Sequence, residues 1–147
     1  MKIIRKTIRA GVNSTDIVTA YQEAFHMSWW QSLLAMFQGV FKMADQDYNE
    51  ADEGLIRSIL EQDKTELEQY QAEEFDCDDF AFRLMGVFHQ DLRTAAMPIF
   101  ITWVGMPDGF GHAVLSYYIE GIVKIIEPQN DDIYSVPSEW SLLLLCG

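Results

Sequence analysis

Cysteine is scarce in this chain. Its two cysteines, Cys77 and Cys146, are too few for the disulfide framework of a small secreted domain, which carries about four or more. Long hydrophobic runs are missing too. No apolar stretch reaches the ~18 to 20 residues of a membrane-spanning helix, so no membrane partner is expected. The N-terminus, MKIIRKTIRAGVNST, is basic but lacks the continuous apolar segment of ~7 to 15 residues that marks a secretory signal. By default, then, the expected location is cytoplasmic. Basic residues are few: 10 Lys and Arg against 23 Asp and Glu leave a net charge of −13. Binding to nucleic acid requires clustered Lys and Arg to neutralise phosphates, so no nucleic-acid partner is expected.

What is present reads as globular. Hydrophobic residues make up 49% of the chain and aromatic residues 13%, too apolar for a disordered polymer. A chain of 147 residues fits a single domain that buries about two-thirds of its unfolded surface. No internal repeat, low-complexity linker or domain boundary interrupts it. One domain over 1–147 is expected, with a helical part at about 13–90 and a sheet part at about 97–147. Charge is unevenly spread: residues 1–43 are net +3, while 44–79 hold fourteen acidic and two basic residues. Most of that acidic block reads as solvated helix face. The acids nearest Cys77 are the exception, because a hard cation needs several converging oxygens.

Residues 3–10 read as a short strand or an extended arm. Asn13-Ser14-Thr15-Asp16 offers N-cap residues. Apolar residues from Ile17 to Val40, including Trp29, Phe37 and Met36, then recur at helical spacing. This predicts one long helix over about 15–42, or two with a break near Ser28, with the aromatic stripe in the core. Residues 50–62 predict another helix, and 65–71 extend it or form a short one of their own. Asp76 is a good N-cap for a helix beginning at Cys77, with Asp79 in the reciprocal capping position and residues 80, 81, 84, 85 and 88 on one face. Strands are predicted at 98–105, 111–119 and 122–127, joined by a Pro-Asp-Gly turn and by Glu120-Gly121, with a last one at 141–145. Helices followed by an antiparallel meander make an α+β pattern. Cys146 reads as a small buried hydrophobe.

The candidate chemistry combines these elements. A cysteine on the first turn of a helix sees the positive end of the helix dipole, which favours thiolate. His112 begins a strand after a Gly-containing turn and can face that helix end. The Glu120-Gly121 turn folds the next strand back, leaving Glu127 near opposite His112, where a carboxylate holds an imidazole. The expected roles are Cys77 as nucleophile, His112 as base and Glu127 as orienting acid. This order on helix, strand and strand is that of papain-like folds. His26 and His89, on apolar helices, read as structural. Gln71, six residues before the cysteine, is a weak oxyanion candidate.

The stretches Cys77-Asp78-Asp79-Phe80-Ala81, Gly111-His112-Ala113 and Glu127-Pro128-Gln129-Asn130 together resemble the C-terminal domain of the Marasmius oreades agglutinin and its fungal and bacterial relatives. The resemblance covers about 75–135; residues 1–70 match no named family. It implies a papain-like cysteine protease domain, N-terminal helices packed on an antiparallel sheet, activated by calcium or manganese through ligands among Asp78, Asp79, Gln129 and Asn130. It also implies a possible homodimer. The lectins' sugar-binding β-trefoil has no counterpart here, so no lectin role is implied. Three aspartates flank Cys77, and like charge raises a thiol's pKa, so a divalent cation that cancels them suits the nucleophile. Mixed carboxylate and amide oxygens suit Ca²⁺ or Mn²⁺ better than Zn²⁺. The function expected is a Ca/Mn-activated cysteine peptidase acting on a peptide or protein substrate. The alternatives are a transglutaminase-like acyl-transfer enzyme and a non-catalytic dimerisation or metal-binding module that retains the fold.

Overall fold

The computed structural model describes residues 11–147. The strand or arm expected at 3–10 lies outside them. Strand β1 (Val12–Asn13) leads into helix α1 (Ser14–Ala24), which Asn13 caps by accepting the Thr15 N–H at 2.8 Å. The chain breaks at His26, whose φ is +50°. Ser28 and Gln31 then form a capping box that starts helix α2 (Trp29–Gln38), and Gly39, at φ +68°, ends it. The aromatic region is therefore two helices, not one.

The expected core role of its second half is corrected. Trp29, Trp30, Leu33, Leu34, Met36 and Phe37 are exposed, and in α2 only Ala35 is buried. Periodicity shows which residues share a face; it does not show which face meets the protein. His26 and His89 are exposed, and His26 sits in the break rather than on a helix.

Strands β2 (Phe41–Lys42) and β3 (Asp47–Tyr48) follow, then helix α3 (Glu53–Leu60), capped by Asp52, and a single 3₁₀ turn at Thr65–Leu67. Helix α4 (Cys77–Gln90) begins at the capping box of Asp76 and Asp79. Phe75 lies edge-on to Phe80, ring centroids 4.7 Å apart, as a hydrophobic staple across that cap. The remaining strands are β4 (Ile99–Gly105), β5 (Gly111–Ile119), β6 (Ile122–Ile126), β7 (Ile133–Ser135) and β8 (Ser141–Cys146).

Six strands form one sheet in the order β2-β8-β4-β5-β6-β7, and β1 pairs separately with β3. The wholly antiparallel expectation is corrected, because β2 runs parallel to β8, Phe41 opposite Leu145. A two-residue strand inside an expected helix carries no alternation to betray it. The fold is thus α+β, with four helices and a mixed sheet. Helices cover both faces of that sheet. Ile99, Ile101, Leu115 and Tyr117 pack with α3 and α4; Phe100, Val104, Val123 and Leu145 pack with α1 on the other side.

One buried polar chain ties α1 to the sheet. Tyr21 Oη lies 2.6 Å from Ser116 Oγ, which lies 2.5 Å from Thr102 Oγ1, and all three residues are buried. Ser116→Ala removes the shared partner of two buried hydroxyls. It is expected to lower unfolding free energy by about 1–3 kcal/mol, read as a lower urea midpoint at unchanged slope.

Candidate functional site

The first turn of α4 sets the position of Cys77. Phe80, Ala81, Leu84, Met85 and Phe88 hold the helix down by its buried face, leaving the thiol half-buried at its start. Burial pushes the Cys77 thiol up from its ordinary value, and the carboxylates of Asp76 and Asp78 push the same way. The backbone N–H of Ala113 offsets part of that rise, which sets the sulfur beside the opening of β5. The helix dipole expected to favour thiolate is outweighed. Among the described residues no hydrogen bond joins the sulfur to His112.

His112 is the residue before Ala113. In the β5–β6 ladder Leu115 faces Ile126, so continuing the register puts position 114 opposite 127. His112 is then the diagonal neighbour of Glu127 on the same face. Their side chains meet, His112 Nε2 to Glu127 Oε2 at 2.8 Å, both largely buried. Tyr134 donates its hydroxyl to the same oxygen at 3.3 Å, while Glu127 Oε1 is buried without a partner. Burial first, then Glu127, pushes the Tyr134 hydroxyl above its usual range. The Trp140 ring stands edge-on to both His112 and Tyr134, centroids 6.1 and 6.2 Å away. Sequence reasoning missed Tyr134 and Trp140. Only the short β-prone run Ile133-Tyr134-Ser135 after a turn pointed there.

Gln71 is exposed and belongs to a tight loop, not a helix. Its backbone pairs with Phe75 in both directions, at 2.8 and 2.7 Å.

The acids fall into two groups. Asp76, Cys77 and Asp78 place one ligand atom each within 4.8 Å of one another, and Asp76 Oδ1 is buried with no partner. The Asp78 carboxyl is raised above its usual range, chiefly by the Asp76 side chain beside it and then by burial. Asp79 uses Oδ2 to accept the Asp76 N–H at 3.2 Å. After β6, Asn130 is exposed and its Oδ1 accepts the Asp132 N–H at 3.0 Å. Gln129 is half-buried; among the described residues no hydrogen bond ties it or Asn130 to Asp78 or Asp79. The second group gathers around Asp131, at φ +62°. Burial, then Glu66, Asp63 and Asp132, lift its carboxyl to about 6. Asp131 Oδ1 and Glu66 Oε2 are both buried without partners. This meeting of two distant acidic segments had no sequence signal.

No family model matches the sequence, and no curated protein does. Solved structures do match. One, titled "PSL1a-E64 complex", aligns at a TM-score of 0.74 and 16% identity, covering 95% of this chain and 52% of that one. Another is Polyporus squamosus lectin bound to the human-type influenza-binding epitope Neu5Aca2-6Galb1-4GlcNAc, at a TM-score of 0.73, 17% identity and coverage of 95% and 50%. The chain shares its fold with Polyporus squamosus lectin. It spans about half the length of the structures it matches.

These matches correct the functional expectation. The matched protein that is named is a lectin, solved with a glycan, and on that finding the expected cysteine peptidase, with its hydrolase chemistry and peptide substrate, is withdrawn. The acyl-transfer alternative goes with it. The non-catalytic alternative fits better.

Two titrations follow. In a Cys146→Ser background, iodoacetamide is expected to alkylate Cys77 slowly at about pH 8, with the rate still climbing above the pH where a free thiol levels off; Asp78→Asn shifts that profile to lower pH. For Asp131, the folded value of about 6 exceeds the ordinary 3.8, so its proton stabilises the fold below 3.8 and that support is lost as pH rises through about 6. In EDTA, Asp131→Asn is therefore expected to raise Tm at neutral pH, the gain vanishing below about pH 4.

Proposed function

We propose that the chain is a single non-catalytic module on a papain-like α+β scaffold, one that binds a divalent cation of the Ca²⁺ or Mn²⁺ kind at the start of α4. The observation that carries this reading is the crowding of Asp76 and Asp78 around Cys77, with a buried carboxylate oxygen lacking any partner. Such a cluster destabilises the fold unless it takes up a proton or a cation. Oxygen donors suit a hard cation; the half-buried thiol does not. Asp76 and Asp78 would hold the ion, with Asp79, Gln129 and Asn130 as the further oxygen donors the motif resemblance implies. The cation would supply charge neutralisation and would draw the loop after β6 toward α4. The His112–Glu127 pair, braced by Tyr134 and Trp140, then serves as a polar clasp between β5 and β7. The glycan named above belongs to the full lectin.

Differential scanning fluorimetry in EDTA, Ca²⁺ and Mn²⁺ tests the binding. An ion present at a hundred times its Kd stabilises by about 2.7 kcal/mol, a shift of several degrees, and Asp78→Asn is expected to abolish it. No shift with either ion removes the metal from the reading. Incubation with a peptide library tests the catalytic half, since wild type and Cys77→Ala are expected to leave it equally intact. Fragments produced by wild type alone would overturn the non-catalytic reading.

A further inference from the structure

A cavity of about 420 Å³ lies between the break after α1, the side of α2 that carries Ala35, and the opening of β8. That is within the size of a small-molecule cleft, ~300–1,000 Å³. Its walls are uncharged: among the described residues that line it none is Asp, Glu, Lys or Arg, in a chain where 22% of residues are charged. Hydrogen-bonding groups stand there instead, the amides of Gln31 and Gln38, the hydroxyls of Ser138 and Ser141 and the imidazole of His26. Trp140, which also touches His112 and Tyr134, adds an indole.

Two of these side chains are placed in a telling way. His26 follows the C-cap of α1 at φ +50°, a position where glycine is favoured. A side chain kept there stores backbone strain, which collects at ligand sites. Gln31 uses its Oε1 to accept the Ser28 N–H at 2.8 Å, and among the described residues its amide donors have no partner.

We propose that this cavity binds a neutral sugar ring. A pyranose presents hydroxyls that both donate and accept, which amides and hydroxyls match. It also presents a face of C–H groups, which rests on an indole. An ion leaving water here would meet no countercharge, so an acid or an amine is disfavoured. An aliphatic chain would leave the amides and hydroxyls unpaired. The cavity shares no residue with the cation cluster at the start of α4, and the two readings stand or fall separately.

Two-dimensional NMR of the full chain decides it. The reporter is the indole N–H resonance of Trp140, identified by its loss in Trp140→Phe. Galactose, glucose and N-acetylglucosamine are titrated to about 50 mM, enough to fill a site of millimolar Kd. N-acetylneuraminate serves as an anionic sugar and adenosine as a flat base. At least one neutral sugar is expected to shift the resonance saturably, with the other two probes about tenfold weaker or more. Gln31→Glu keeps the capping oxygen and removes the donors; combined with Gln38→Ala it is expected to weaken binding about tenfold at unchanged Tm. If that pair misfolds, Gln38→Ala alone is expected to weaken binding severalfold. Trp29→Ala, an exposed indole on the opposite side of α2, is expected to bind as wild type. The proposal is overturned by no saturable shift with any of the three sugars, or by equal binding of N-acetylneuraminate or adenosine. Binding unchanged in the glutamine variants, or equally lost in Trp29→Ala, overturns it too.

Discussion

Everything at the candidate site depends on how the first turns of α4 pack against the opening of β5. Phe80, Ala81 and Leu84 are almost wholly buried and anchor the helix. That contact sets the Cys77 sulfur beside the backbone of Ala113, one residue from His112. The ladder between β5 and β6 then carries Glu127 to the imidazole, and β7 brings Tyr134 to the same carboxylate oxygen. A slip of one residue in that ladder would turn Glu127 to the opposite face of the sheet, where α3 and α4 pack, and away from His112.

Within that frame the electrostatic question is which effect wins at Cys77. A helix N-terminus favours an anion by about 0.3–1 kcal/mol at exposed sites. Burial and adjacent carboxylates act against it, and burial alone can shift a group by several pKa units. With Asp76 and Asp78 both beside the sulfur, the sum lies on the side of the neutral thiol. The same crowding makes the cluster a place for a cation. Asp131, pressed by Glu66 and Asp63, repeats the situation on a smaller scale.

The likeness to Polyporus squamosus lectin extends over nearly this whole chain and half of that one, at 16–17% identity. At that distance it establishes architecture, and function has to be argued from the site. The triad-like order of Cys77, His112 and Glu127 was a sound reading of position along the chain. Order alone, however, does not state the protonation of a thiol, and that is what separates a nucleophile from a structural cysteine.

What the sequence determined by itself was local. The Asp76–Asp79 box, the apolar face of α4, the turn at Glu120-Gly121 and the alternating strands around His112 are written in neighbouring residues, because caps, turns and periodicity act over a few positions. Even the approach of His112 to Glu127 was legible, since a tight turn fixes the register of a hairpin. Tertiary structure alone decided that β2 lies parallel to β8, that Asp63 and Glu66 confront Asp131, that Tyr134 and Trp140 enclose His112, and that the aromatic side of α2 faces outward. Each of these turns on what lies across from a residue in space, and amphipathic spacing is the same whichever way a helix is rotated against its neighbours.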